Sequence, residues 1–149
     1  MLIDANANLN HQLGGIGGGG KFPLLKASVR GHTEVVKMLL EAGADPNTLK
    51  TYDEASALYA AAFAGKLDCM KLLIKHNADL ENRLIKDASI DRDEKYYGST
   101  PLMVAAFFDQ PEAIKVLLEA GADKAATNVQ GKTAHDAAES DACRALLSV

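Results

Sequence analysis

Apolar residues recur along this chain in a helical rhythm. Val35, Met38 and Leu39 fall at i, i+3 and i+4, which draws one apolar stripe down a helix. Cys69, Leu72 and Leu73 repeat the stripe, as do Ala113, Val116 and Leu117. A shorter alanine-bearing segment precedes each stripe, with Ala27, Ala61 and Ala105 at equivalent places. Small residues there predict a first helix that approaches the second closely. Gly31 and Gly65 separate the two helices as turn residues. Gly43 and Gly121 follow the second helix, where a left-handed cap is expected, and Asn77 takes that place in the middle unit.

Three segments stack without gaps: "SVRGHTEVVKMLLEAGADPN" at 28–47, "AFAGKLDCMKLLIKHNADLE" at 62–81 and "AFFDQPEAIKVLLEAGADKA" at 106–125. Leu24, Leu58 and Leu102 are equivalent, at spacings of 34 and then 44 residues. His135 and Ala138 extend the series by another 33. His135 thus inherits a leucine position and is expected to be half-buried. One helix pair cannot bury its apolar faces alone, whereas stacked pairs bury them together. The predicted fold is an all-α repeat solenoid of helix-turn-helix units joined by hairpin-like connectors.

Thr100, Pro101, Leu102 and Met103 open the third unit, with weaker versions at Phe22–Leu25 and Ser56–Tyr59, and Thr133–Asp136 at the end. Together with "GHTEVVKMLLEAGADPN", this resembles the ankyrin repeat family over almost the whole chain. The implied division is a single domain, 1–149: a partial repeat 1–10, a glycine-rich connector 11–21, repeats 22–47 and 48–81, an inserted loop 82–97, a repeat 98–125 and a short capping repeat 126–149. Leu2–Asn10 aligns with Leu39–Asn47, the tail of a second helix, so the chain reads as cut from something longer. In the final unit Cys143, Leu146 and Leu147 are expected against the preceding unit, with Cys143 the more exposed of the two cysteines.

Connector lengths explain "GGIGGGGKFP" at 14–23. Gly15, Gly17 and Gly20 fit G-x-G-x-x-G, but a phosphate loop needs a strand before it and a helix after its lysine. Phe22 stands where a hydroxyl residue would hold magnesium. The stretch reads as a four-residue insertion between stacked units, a flexible linker that binds no nucleotide. A second insertion, of eleven residues, lies between Glu81 and Leu102. Its Leu84, Ile85, Ala88 and Ile90 either tuck against the scaffold or extend a groove.

A formal net charge of -4 gives no reason to expect nucleic acid or an anionic membrane. No apolar run approaches the ~20 residues of a membrane span. Cys69 and Cys143 are the only cysteines, too few for a disulfide framework, and reduced thiols in the cytoplasm or nucleus are the simpler reading. Cys69 sits where Val35 and Ala113 sit, as a small core hydrophobe. His11, His32, His76 and His135 are scattered over different units, without a metal-ligand spacing. Asp45, Asp79 and Asp123 recur as connector-turn residues, and Glu34, Asp68 and Glu112 in the first turn of a second helix, where the dipole favours them. Asp91, Asp93 and Glu94 lack the spacing of a calcium loop. Neither catalytic site, cofactor nor metal is implied.

The eight aromatic residues are placed more selectively. Tyr52, Tyr96 and Tyr97 lie at connector tips, Phe63 and Phe107 are equivalent near the end of first helices, and Phe108 follows Phe107. In the resembled family, connector tips and first helices line the concave, partner-contacting surface. The expectation is a non-catalytic protein-binding module, monomeric in isolation, contacting its partner through Tyr52, Phe63, Tyr96, Tyr97, Phe107 and Phe108. Phe63 and Phe107 also fit as inter-unit packing. Two other readings stand beside this one: an accessory targeting segment of a larger enzyme, and a structural spacer without a ligand.

Overall fold

The computed structural model describes residues 23–48, 55–84 and 94–148. The glycine-rich stretch, the partial N-terminal repeat and Tyr52 lie outside these described residues. Four helix pairs follow in order: α1 (Pro23–Arg30) with α2 (Thr33–Glu41), α3 (Ala57–Ala64) with α4 (Leu67–Lys75), α5 (Pro101–Phe107) with α6 (Pro111–Glu119), and α7 (Ala134–Ala137) with α8 (Asp141–Leu147). A short 3-10 turn, Glu94–Tyr96, precedes α5. Every regular element among the described residues is helical. The first helices stack as one layer, α1 on α3 on α5 on α7, and the second helices as another, α2 to α8. This is the repeat solenoid that the register of Leu24, Leu58 and Leu102 predicts.

Hydroxyl side chains start α3, α5 and α7. Ser56 Oγ accepts from the Tyr59 amide at 3.1 Å, and Thr100 Oγ1 from the Met103 amide at 3.3 Å. Thr133 and Asp136 close a reciprocal capping box. Pro101 adds a preset φ to the first turn of α5 at no hydrogen-bond cost. The turns between paired helices need positive φ, which Gly31 (72°) and Gly65 (66°) supply. In the third unit the equivalent residue is Asp109, at φ 51°, a type that enters this region more readily than most. The caps after the second helices follow the sequence reading: Gly43, Asn77 and Gly121 all have positive φ.

The core runs between the two layers. Leu39, Leu73 and Leu117 are buried, as are Leu24, Leu58 and Leu102. Cys69 and Ala113 are buried where the stripe places them, and Val36, Met70 and Ile114, one residue further on, are wholly buried too. Val35, Met38, Leu72 and Val116 are half-buried. Each second helix faces its own first helix and one or two neighbouring second helices, so its apolar face is wider than a three-residue stripe.

Two expectations for the final unit are corrected. His135 is exposed, not half-buried. The helices of its leucine counterparts each pack against the first helix of the following unit, and no described unit lies beyond α7. Cys143 is fully buried. Its thiol meets the Asp109 carboxylate at 3.1 Å, and Leu147 packs beside it in the common core.

The connectors interlock along one edge. Asp45, Asp79 and Asp123 each accept an amide two residues on, at 2.8–2.9 Å. Asn47 reaches the next connector twice, donating to the Asn77 carbonyl at 3.1 Å and accepting from the Asp79 amide at 2.7 Å. Its equivalent, Glu81, accepts from the Asp123 amide at 2.8 Å. Side chains bridging successive connectors fix the spacing of the units that carry the site.

Candidate functional site

The inserted segment is pinched at its base. Leu84 donates its amide to the Ser99 carbonyl at 3.0 Å, and Gly98 donates back to the Leu84 carbonyl at 2.7 Å. Leu84 is buried, so one of the insertion's apolar residues tucks against the scaffold. Arg83 spans this base, donating to the carbonyls of Gly98 and Thr127. The limb from Glu94 to Gly98 therefore returns to the stack at a fixed point.

That limb delivers Tyr96 onto the end of α5. The Tyr96 ring meets Phe107 edge-on at 5.1 Å between centroids and stacks on Phe108 at 5.6 Å. Phe108 in turn meets Phe63 of the preceding unit edge-on at 4.5 Å. Lys95 Nζ lies 5.0 Å from the centre of the Tyr96 ring, within cation–π range. Four rings from three sequence segments thus form one continuous aromatic surface. Edge-on and offset contacts are the arrangements that the ring quadrupoles favour.

Phe63 and Phe108 are 44% and 38% exposed, high values for residues of this size and polarity. Phe107 and Tyr96 are half-buried and packed against the core. The equivalent pair Phe63 and Phe107 therefore divides, with Phe107 filling the gap beneath and Phe63 standing at the surface. Ala64 occupies the place in the second unit that Phe108 has in the third.

Four of the six sequence-selected residues come together in this way. Tyr97 does not join them: it is 6% exposed, its side chain turned into the body of the protein, and its carbonyl accepts from the Val129 amide at 3.1 Å. Consecutive residues of a tight turn point in different directions, which sequence adjacency to Tyr96 concealed. Tyr52 lies outside the described residues. Sequence reasoning passed over Asn128, which is almost fully buried and donates to the Lys95 carbonyl at 3.0 Å. The faint signal for it was a turn-forming asparagine just ahead of Gly131.

Among the described residues, ionisable groups offer little reaction chemistry. Burial pushes the Cys69 thiol above its ordinary value, against the opposing contact from the Thr33 hydroxyl. Burial does the same at Cys143, which leaves both thiols poor nucleophiles. Hydrogen bonds from Ser140 and then Cys143 hold the Asp109 carboxyl below the ordinary aspartate range. Among the described residues, no group of three or more His, Cys, Asp or Glu side chains converges to hold a metal ion. No helix among them is long and apolar enough to cross a membrane.

A family model described as "Ankyrin repeats (3 copies)" matches residues 1–84 and 24–128. The mitochondrial disaggregase of Bos taurus is 32% identical over 143 residues, covering 96% of this chain and 19% of that protein. Protein phosphatase 1 regulatory subunit 27 of Homo sapiens is 36% identical over 86 residues, 58% of this chain and 49% of that protein. Ankyrin repeat and SOCS box protein 6 of Mus musculus is 33% identical over 123 residues, 79% and 27% of the two chains. The chain thus spans between about a fifth and a half of the length of these curated relatives.

Proposed function

Because this chain belongs to the ankyrin repeat family, whose modules mediate protein–protein interaction, we propose that Phe63, Tyr96, Phe107 and Phe108 form its docking surface for a protein partner. The observation that carries this reading is the exposed contact between Phe63 and Phe108, continued by Tyr96. Large rings anchor interfaces well, because they bury much area while freezing few rotors. A folded scaffold holds these rings before a partner arrives, so little ordering cost falls on binding. The partner is a protein segment with apolar side chains to cover Phe63 and Phe108. The domain acts as a binding module without catalysis, nucleotide or nucleic acid. Its units divide at 22–47, 48–81, 98–125 and 126–149, with the insertion 82–97 contributing its returning limb to the surface. Cytoplasmic or nuclear residence suits its two buried free thiols.

The test is affinity capture from native lysate with wild-type protein, Phe108→Ala and Lys75→Ala as baits, followed by calorimetry on the recovered partner. Lys75 lies exposed at the end of α4 in the other helix layer. Loss of binding in Phe108→Ala alone is the expected result. Equal affinity in all three folded proteins would move the interface away from the rings.

A second reading, an accessory segment of a larger enzyme, draws on the match to the disaggregase, in which nearly this whole chain aligns with a small part of that protein. The two readings are compatible when the segment serves its enzyme by binding. The coding sequence on either side of this chain decides, by the presence or absence of a catalytic signature.

A further inference from the structure

We propose that Asn128, in the final unit, is a positioning residue of the aromatic docking surface, holding Tyr96 against Phe107 and Phe108 without touching the partner itself. The inference rests on the docking reading above and adds a residue that lies outside the surface.

Tyr96 belongs to none of the paired helices. It ends a three-residue 3-10 turn, an element too short to hold a ring in place through its own hydrogen bonds. Besides the base set by Leu84, Ser99 and Arg83, two restraints next to the ring come from the final connector. Asn128 Nδ2 donates to the Lys95 carbonyl at 3.0 Å, and the Val129 amide donates to the Tyr97 carbonyl at 3.1 Å. The carbonyls on both sides of Tyr96 are therefore taken by two successive residues of the last unit.

Asn128 is itself firmly set. Its Oδ1 accepts from the amides of Gln130 and Lys132, both at 3.0 Å, and its own amide donates to the Lys132 carbonyl at 2.9 Å. One end of the side chain closes the 128–132 turn while the other end grips the limb. A carboxylate would keep the acceptors and lose the donor. Asn128 is only 6% exposed, so a partner cannot reach it. Any influence it has on binding passes through the limb. The limb also lies unusually close: a Cβ on Gly98 would stand 2.9 Å from the Val129 amide nitrogen.

The experiment compares wild type with Asn128→Asp by NMR of ring-labelled tyrosine, using Tyr96→Phe to assign the signal among the four tyrosines. In wild type, stacking on Phe108 displaces the Tyr96 ring signals from those of free tyrosine. Asn128→Asp is expected to abolish most of that displacement, while the Phe63–Phe108 contact and the helical circular dichroism stay as in wild type. A merely structural role for Asn128 would not separate Tyr96 from the other rings in this way. An undisplaced Tyr96 signal in wild type, or unchanged Tyr96 signals in folded Asn128→Asp, overturns the proposal. Should Asn128→Asp not fold, Asn128→Ser, which also lacks the amide donor, is judged by the same signals. The docking reading fails separately, through unaltered partner affinity in Phe108→Ala.

Discussion

The ring of Phe108 meets the ring of Phe63 edge-on, with centroids 4.5 Å apart, across the boundary between two stacked units. The partners are not equivalent residues of the repeat. Phe63 corresponds to Phe107, so the contact is diagonal, and it leaves both rings partly open to solvent. Removing a central anchor of an interface costs about 2 kcal/mol or more. Phe108→Ala and Phe63→Ala should each weaken partner binding by that order, with Lys75→Ala neutral. The double mutant should depart from the sum by about 0.5–3 kcal/mol, the range for neighbouring residues that share a binding partner. Calorimetry on the four proteins measures the coupling, and strict additivity would mean the rings act independently.

Leu73 is wholly buried on α4, with Met70 beside it on the same helix. Leu73→Ala should cost ~2–5 kcal/mol, because neighbours on both sides of a stack cannot collapse into the space together. Urea unfolding followed by circular dichroism reads the loss. A change under about 1 kcal/mol would show that the position is not core.

Asp109 ties the third unit to the last. Its carboxylate accepts from Ser140 Oγ and Cys143 Sγ, and those bonds lower its pKa, Ser140 first. A depressed folded-state value means that the stabilisation is present above the unfolded pKa and is lost as pH falls through the folded one. Asp109→Asn keeps a residue that tolerates the left-handed turn and removes the charge. Wild type should therefore be the more stable at neutral pH. The gap should start to close near pH ~4, the ordinary aspartate value, and vanish below the folded pKa. Urea midpoints for both proteins from neutral to strongly acidic pH provide the check, and a gap that ignores pH would assign the contact no charge dependence.

Gly43 and Gly98 both have positive φ, at 96° and 74°, but their surroundings differ. A Cβ at Gly43 meets open space, whereas at Gly98 it meets the Val129 backbone. Both alanine variants pay the left-handed strain of about 1–2 kcal/mol. Gly98→Ala should exceed Gly43→Ala by about 1 kcal/mol or more, the usual scale of an added methyl in a tight contact. It should also disturb the Tyr96 ring signals, which Gly43→Ala should leave alone. Unfolding free energies and the tyrosine spectrum of each variant distinguish the two positions.

Much of this protein is legible in its sequence because its interactions are local and repeated. The register of Leu24, Leu58 and Leu102, the glycine and asparagine caps and the hydroxyl starts of α3, α5 and α7 all express short-range rules, printed three times. The same repetition reveals the insertion before Tyr96 as a departure from minimal connector length. It also singles out Phe63, Phe107 and Phe108, since each stands at a definite place in the unit.

Tertiary structure decided what local rules do not encode. Tyr96 and Tyr97 are neighbours of one chemical type, yet one ring joins the aromatic surface and the other is buried, because a tight turn sends successive side chains apart. His135 carries a leucine's register but lies exposed, because no described unit lies beyond α7, whereas the helices of its leucine counterparts each pack against the first helix of the following unit. Asn128 carries no mark in the sequence beyond its turn, for its contact with Lys95 spans 33 residues and exists only once the insertion folds back onto the last connector. Helices and their stacking follow from spacing along the chain, whereas the surface those helices present depends on which distant segments the stack brings within a few ångströms of each other.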